Sequence, residues 1–260
     1  MTASCPTYIA PHRNQLGLDG GKYGGFNCTA VAGAMALDQS TCGITTFTGA
    51  QIRAATNEPV PDPGSPGLNL TQVDLAIQKL CGINFDTEYD YFTTTAIARI
   101  KGGEPAIVQF QRAVLFGLGL DFGATFKGGH AAKVDGIGGS LHIDDPLTRR
   151  FAVTDDQFRK IAGSLIVEGA PIGWGKAYIS FGPDSIRNYR ATVRPGTFGL
   201  YTVSGRTITS AEARRTGGFS ATCTPPMRFT WTGHSSQLLV VLTSGFLKGK
   251  AIRSTWAQEV

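Results

Sequence analysis

The stretch GGFNCTAVAGAMALD, residues 24–38, places Cys28 where a glycine-rich turn becomes an alanine-rich run. Apolar residues recur four positions apart in that run, which predicts a buried helix over 28–37, and Gly33 within it permits close packing against a neighbour. One interpretation of Cys28 is a small apolar core residue, since free cysteine is among the most buried residue types. The other is a nucleophile at a helix N-terminus, where the helix dipole favours the thiolate.

The composition describes an ordered globular chain. Of its 260 residues, 42% are hydrophobic and 17% are charged, which excludes a disordered or membrane-embedded class. The longest apolar stretch, QLLVVL at 237–242, is too short to span a bilayer. The first residues lack the basic start and apolar core of a secretory signal. We therefore expect no signal peptide, no transmembrane segment and no membrane partner.

Charge and cysteine usage exclude further classes. The net charge is +5, but the basic residues are scattered, so no nucleic-acid partner is expected. The five cysteines are irregularly spaced and no C-x-x-C pair occurs, which argues against a disulfide framework and a structural zinc site. We expect at least one free thiol and no metal or cofactor.

Residues 1–184 have an α+β pattern. Helical signals come first: Thr48 is placed to cap a short helix, and 70–82 has apolar residues at helical spacing and ends in a glycine. The pattern then changes to strands, including 105–111 and 175–181. This order predicts helices packed on a mostly antiparallel sheet.

The glycine-punctuated segment 113–129 predicts a hairpin or a flap. Its aromatic residues Phe116, Phe122 and Phe126 either line a substrate flap or are buried in a hairpin. The sequence leaves both interpretations open.

Residues 185–260 differ from the rest in composition. Short alternating strands are separated by Gly, Ser and Pro, with a single helical turn expected at SAEARR, 210–215. The end of the chain predicts a hairpin with its turn near Ser244 and Gly245. About 75 residues make a marginal core alone, so we expect a β-rich appendage that docks on a partner or holds wall polymer.

A thiol nucleophile needs a histidine that lowers its pKa and a carboxylate that orients the histidine. His130 begins a predicted strand in KGGHAAKVDGIGG, and the next strand ends in HIDDPL at Asp145. If the two strands pair as a hairpin, Asp145 returns level with His130. Asp144 is the alternative orienter, although the extended conformation favoured before a proline suits Asp145 at a strand end. The other histidines are predicted to be exposed: His12, His142 and His234.

The order and context of these residues resemble the papain-like cysteine peptidases. A cysteine opens a helix in NCTAVAGAMALD, and a histidine begins a strand before Asp-Pro ends the next one in GHAAKVDGIGGSLHIDDPL. These features look like the double-glycine type, which processes bacteriocin leaders, and its relatives in virion and tail proteins of actinobacterial tailed phages. The resemblance covers roughly residues 10–180. It implies a papain-like fold in 1–184, with Cys28 as nucleophile, His130 as general base and acid, and Asp145 as orienter.

The same family carries a glutamine before the cysteine, and its side-chain N–H faces the developing negative charge. It usually lies about six residues upstream, where this chain has Lys22. The nearby glutamine is Gln15, thirteen residues before Cys28, so the glycine-rich insert has to loop out to leave it in place. The resemblance thus implies Gln15 as the oxyanion-hole residue.

Two functions of different classes follow from this resemblance. The first is a cysteine peptidase or amidase in a phage tail or tail tip, assembled in the host cytoplasm with other tail subunits, that cuts peptide amides of the bacterial cell wall during entry. The second is a tail structural or adaptor protein with a papain-like fold and little or no activity. Leader-peptide processing for export is a third interpretation, disfavoured because no transporter segment accompanies the module. A Gln15 amide within reach of Cys28 would favour the enzyme.

Overall fold

The computed structural model describes residues 8–41, 43, 47–62, 67–182, 189–204, 207–223, 227–231, 234–242 and 244–259. The α-helices within these residues are α1 (Cys28–Ser40), α2 (Gly49–Ala55), α3 (Leu70–Cys81), α4 (Thr93–Lys101), α5 (Ala113–Gly117) and α6 (Asp155–Ala162), and short 3₁₀ helices span Gly21–Phe26, Ile137–Gly139 and Ser254–Trp256. The strands of the first part are β1 (Asp86–Phe92), β2 (Ala106–Gln111), β3 (Gly129–Asp135), β4 (Leu141–Asp144), β5 (Arg150–Val153), β6 (Ile166–Val167), β7 (Ala170–Pro171) and β8 (Lys176–Phe181). Those of the second part are β9 (Tyr189–Val193), β10 (Gly196–Ser204), β11 (Thr207–Thr216), β12 (Phe219–Cys223), β13 (Met227–Trp231), β14 (His234–Val241), β15 (Ala251–Arg253) and β16 (Ala257–Glu259).

An antiparallel sheet of six strands, in the order β1-β8-β2-β3-β4-β5, forms the centre of the first part. Helix α1 packs on β2 and β3, with α2 and α3 beside it, while α4 and α6 contact the sheet with a second apolar cluster. Alternate residues of β2 enter the two clusters, since Ile107 belongs to one and Val108 to the other. The predicted α+β class, with helices on an antiparallel sheet, is confirmed.

Capping residues begin and end several helices as the sequence predicted. Thr48 caps α2 in a reciprocal capping box with Gln51, and Gly82 ends α3 in the left-handed conformation. Helix α1 is buried along almost its whole length and continues to Ser40, three residues past the predicted end. A Cβ on Gly33 would lie 2.6 Å from Val73 of α3, so the predicted close packing at Gly33 is confirmed.

Two local predictions were wrong, and one strand was missed. The segment 113–129 is no hairpin, because 113–117 forms the short helix α5 and a loop without regular structure follows. The expected helical turn at 210–215 lies inside strand β11, whose partner β10 holds it extended. Strand β1 was not predicted, because its sequence DTEYDYF is polar and partly exposed at the edge of the sheet.

The strands from Tyr189 onward pair among themselves in the described part of the chain. Strands β10, β11, β13, β14 and β15 close into a barrel, and β12, β9 and β16 form a three-stranded sheet. Strands β14 and β15 form the predicted terminal hairpin, with Gly245 at φ +80° in the connection. Helix α3 contacts β13, and buried barrel residues join the apolar cluster of α1 to α3.

None of the helices in the described residues is both long enough and apolar enough to span a bilayer.

Candidate active site

The fold brings together three of the predicted site residues. Cys28 is the first residue of α1, His130 is the second residue of β3, and Asp145 follows the last residue of β4. The register pairs Lys133 with Asp144, so Asp145 continues the hairpin opposite residue 132 and reaches His130 diagonally, not from the level position that the sequence predicted. The His130 Nε2 to Asp145 Oδ1 distance is 2.7 Å.

Asp145 is held by a full set of donors. Its Oδ1 accepts from the backbone N–H of Leu147 at 2.8 Å as well as from His130, and its Oδ2 accepts from Thr148 Oγ1 at 3.0 Å and from Arg112 Nε and Nη2 at 3.2 and 3.1 Å. Burial raises the pKa of Asp145, but the hydrogen bond and charge of His130 outweigh it and lower the pKa to about 2. Asp145 is therefore ionised at neutral pH.

His130 is almost fully buried and lies edge-on to Phe110, with ring centroids 5.5 Å apart. Burial lowers the pKa of His130, but the hydrogen bond to Asp145 and the contact with Cys28 outweigh burial and raise the pKa to about 9. Because Nε2 is engaged by Asp145, Nδ1 is the ring nitrogen left for the thiol. His130 is thus placed to carry a positive charge beside Cys28.

The Cys28 thiol is partly exposed and faces His130. Burial raises its pKa, whereas the hydrogen bond and charge of His130 and the backbone N–H of Ala131 lower it, so the net pKa lies below the ordinary value. Among the other free thiols of the described residues, Cys81 is buried and bonds to the Ile77 carbonyl, and burial raises the pKa of Cys223 to about 12. Cys28 is the described thiol that is both accessible and disposed to ionise.

The alternative orienter Asp144 points away from His130. Its Oδ1 lies 2.6 Å from His12 Nδ1, and its Oδ2 lies 3.7 Å from Lys133 Nζ and 3.9 Å from Arg150 Nη1. The structure assigns the contact with His130 to Asp145 and not to Asp144. His12 is 30% exposed and tied to Asp144, and His142 is partly exposed and bonds to a backbone carbonyl; the His234 side chain lies outside the described part.

Gln15 lies beside the turn that carries Asp145, because its backbone N–H donates to the Pro146 carbonyl at 2.8 Å. The glycine-rich insert folds back against Gln15 and forms a 3₁₀ helix over Gly21–Phe26. A Cβ on Gly20 or Gly24 would lie 1.6 or 2.1 Å from the Gln15 carbonyl oxygen, so only glycine lets the insert pass this closely. Gln15 is buried, and its Oε1 has no hydrogen-bond partner among the described residues. Its oxyanion-hole role stays a prediction.

A cavity of about 390 Å³ opens onto Cys28 and His130. Its floor joins α1 to β2, because the Leu68 carbonyl accepts from Thr29 Oγ1 at 2.7 Å and from Gln109 Nε2 at 3.3 Å. The rim carries two carboxylates and several amides, from Glu58, Asp62, Asn69, Gln72 and Gln109. These groups are able to hydrogen-bond a peptide or a polar, cationic ligand.

The three aromatic residues of segment 113–129 differ in their surroundings. Phe126 is 48% exposed and lies 6.2 Å from the His130 ring, so it covers one side of the imidazole. Phe122 packs against Phe151, with ring centroids 5.0 Å apart. The interpretation of these residues as buried in a hairpin was wrong, because Phe116 lies in helix α5 and Phe122 and Phe126 lie in the loop after it.

Two buried arginines at this site were missed from the sequence. Arg112 binds Asp145 and also donates to the carbonyls of Asp121, Ala124 and Phe126. Arg53 donates to the Asn27 side chain and to the Phe26 carbonyl just before Cys28. A signal existed for Arg112, which stands alone between the apolar stretches AIVQF and AVLFGL, where a charge needs a buried partner.

No group of three or more His, Cys, Asp and Glu side chains within the described ranges is arranged to hold a metal ion. Comparisons with models of protein families, with curated proteins and with solved structures return no match to this chain. The function is therefore inferred from the chemistry of the site.

Proposed function

We propose that the protein is a cysteine peptidase or amidase with a papain-like fold, whose nucleophile is Cys28. The observation that supports this best is a chain of contacts from Cys28 through His130 and Asp145 to Arg112. Negative and positive groups alternate along this chain, and its first residue, Cys28, lines a cavity. A structural ion-pair network has no need of an accessible thiol with a lowered pKa, whereas nucleophilic catalysis requires one.

The reaction starts from the thiolate–imidazolium pair. The Cys28 thiolate attacks the carbonyl carbon of the scissile amide, and the carbonyl oxygen takes up the negative charge near the N-terminus of α1 and the proposed donor Gln15. His130 gives its proton to the leaving nitrogen as the C–N bond breaks, which releases the amine and leaves a thioester on Cys28. Neutral His130 then takes a proton from water, the hydroxide attacks the thioester, and the C–S bond breaks to release the acid and restore the ion pair.

For the biological setting, we propose a phage tail and the bacterial cell wall. The support is the resemblance of NCTAVAGAMALD and GHAAKVDGIGGSLHIDDPL to tail proteins of actinobacterial phages. The carboxylates and amides of the cavity rim suit a peptide that carries amide and ammonium groups. Wall peptides have this chemistry, and the reaction uses no cofactor.

The direct test is incubation of the full chain with purified actinobacterial peptidoglycan. We expect new amino termini to accumulate with time and to be absent with the Cys28→Ala variant. The Cys81→Ala variant is a matched control, since it also removes a thiol but one buried in α3. If no new amino termini form with peptidoglycan or with a mixture of unstructured peptides, the enzyme proposal is wrong and the alternative of an inactive tail protein is favoured.

Residues 185–260 are proposed as the part that attaches the enzyme to other tail subunits. Truncation after residue 184 is expected to leave a soluble domain with its hydrolytic activity and to abolish association with particles, measured by co-sedimentation. The contact between α3 and β13 makes this a demanding test, because removal of the barrel uncovers part of the α3 surface. A truncated chain that cannot fold would show that the boundary is wrong.

A further inference from the structure

The N-terminus of α1 lacks the side-chain cap that its sequence would provide. Asn27 occupies the N-cap position, and asparagine is among the best N-cap residues, yet its side chain makes no capping hydrogen bond. Asn69, at the same position of α3, does cap its helix, with its Oδ1 accepting from the Gln72 N–H at 2.8 Å. The two asparagines differ in backbone conformation, with φ −104° and ψ 17° at Asn27 against φ −85° and ψ 171° at Asn69, and they differ in the partners of their side chains.

Arg53 takes the acceptor that would cap α1. Its Nε donates to Asn27 Oδ1, while its Nη2 donates to the Phe26 carbonyl at 2.9 Å and its Nη1 to the Glu58 carbonyl at 3.3 Å. Arg53 and Asn27 are both almost fully buried, so water does not compete for their hydrogen bonds. Helix α2 holds Arg53 close to α1, because a Cβ on Gly49 would lie 2.4 Å from Val31.

The same contact holds the glycine-rich insert. The Asn27 Nδ2 donates to the Gly20 carbonyl at 2.6 Å, and Gly20 is the residue that passes close to the backbone of Gln15. With Oδ1 bound to Arg53 and Nδ2 bound to Gly20, both ends of the amide are used. The first backbone hydrogen bond of α1 runs from Val31 N–H to the Asn27 carbonyl, so the N–H groups of residues 28–30 precede it.

We propose that Arg53 is a positioning residue of this active site, which draws the Asn27 side chain away from α1 so that the uncapped N-terminus of the helix stabilises negative charge at Cys28. This inference depends on the proposed function. An open N-terminus keeps its partial positive charge directed at the thiolate and at the oxyanion. The Arg53 cation adds to the same effect, because the negative charges of Cys28 and Glu58 oppose the lowering of its pKa by burial.

The test measures the alkylation rate of Cys28 with limiting iodoacetamide from pH 5 to pH 10, site by site by mass spectrometry. We expect Arg53→Met to alkylate about tenfold more slowly at pH 7 and to shift its profile to higher pH, because Asn27 then turns to cap the helix. Arg53→Lys keeps the charge but lacks the forked geometry of the guanidinium. Its alkylation rate is expected to lie between those of the wild type and Arg53→Met. Arg99→Met, which removes an arginine on α4 across the sheet, is the matched control and should follow the wild type.

A double variant separates positioning from simple loss of structure. In Arg53→Met/Asn27→Ala no side chain remains to cap α1, so Cys28 is expected to react at least threefold faster than in Arg53→Met alone. The single variant Asn27→Ala completes the double-mutant cycle. It measures how the loss of the Asn27 hydrogen bond to Gly20 affects the alkylation rate. A double variant no faster than Arg53→Met, or an Arg53→Lys profile equal to that of the wild type, would overturn the inference.

The two proposals fail differently. If wild-type Cys28 is activated and the arginine variants match it, the role of Arg53 is wrong and the proposed function stands. If wild-type Cys28 alkylates like an ordinary thiol, the proposed function itself fails.

Discussion

Replacement of Cys28 or His130 with alanine is expected to slow hydrolysis of the proposed wall-peptide substrate by about 10⁴- to 10⁶-fold. In the proposed mechanism, Cys28 supplies the attacking atom, and His130 both raises the thiolate population and protonates the leaving nitrogen. Because the two act as one unit, the double variant Cys28→Ala/His130→Ala should be no slower than the slower single variant. The measurement is the rate at which new amino termini form at equal protein concentration.

His142→Ala is the matched control for this prediction. His142 lies on the neighbouring strand β4, is partly exposed, and has the Ser140 carbonyl as its hydrogen-bond partner. It should retain the wild-type rate. A His130→Ala variant that keeps more than about one hundredth of the wild-type rate would show that His130 is not the base.

The pH profile follows from the same pair. The pKa of Cys28 is lowered, so the thiolate forms at a pH below the ordinary thiol range. The pKa of His130 is raised to about 9, so the imidazolium persists up to that pH. Hydrolysis should therefore rise as Cys28 ionises and fall above about pH 9 as His130 loses the proton that the leaving nitrogen needs. In the His130→Ala variant the alkylation profile of Cys28 should move to higher pH.

The core of the candidate site could be predicted from the sequence because its signals are local. Cys28 stands at a visible change from a turn to a helix. His130 lies in β3, and Asp145 directly follows β4, the next strand, after a short connection. A hairpin brings such residues together whatever the rest of the fold does. The choice between Asp144 and Asp145 needed the actual register, because adjacent residues point to opposite sides of a strand.

The supporting residues could not be predicted, because their partners are distant in the chain. Arg53 meets Asn27 from another helix, 26 positions away, and Arg112 meets Asp145 across 33 positions. Strand β1 was missed because an edge strand with a polar sequence has no apolar alternation to reveal it. The class of the fold followed from local periodicity. The closed barrel of β10, β11, β13, β14 and β15 depends on strand pairings that periodicity does not encode, such as the parallel pair β11 and β13.

Replacement of Arg112 with methionine is expected to destabilise the protein by about 3–5 kcal/mol. Arg112 is fully buried, and its guanidinium both balances the charge of Asp145 and satisfies the carbonyls of residues 121, 124 and 126. Methionine fills much of the volume but leaves a buried carboxylate with one cation fewer and three carbonyls without their donor. The melting temperature, measured by near-ultraviolet circular dichroism, should fall by about 10 °C.

Arg150→Met is the matched control, since Arg150 also pairs with a buried carboxylate. Its partners Asp135 and Asp144 both keep a second cation, Lys133 at 2.8 and 3.7 Å, and the Arg150 side chain is itself 20% exposed. The expected cost is therefore about 1 kcal/mol. Equal losses in the two variants would contradict the assigned role of Arg112 as the cation that balances the site.

Acid titration provides a second, independent test of how the Arg112 charge acts on Asp145. The pKa of Asp145 is about 2 in the folded protein against an ordinary 3.8, so the carboxylate contributes about 2 kcal/mol that is present above pH 4 and lost as the pH falls towards 2. Removal of the Arg112 charge is expected to raise the pKa of Asp145 in the folded protein. The gap between this pKa and its ordinary value then becomes smaller. The Arg112→Met variant should therefore lose its remaining acid-sensitive stability at a higher pH than Arg150→Met, and an unchanged acid midpoint would show that Arg112 does not act on Asp145 through its charge.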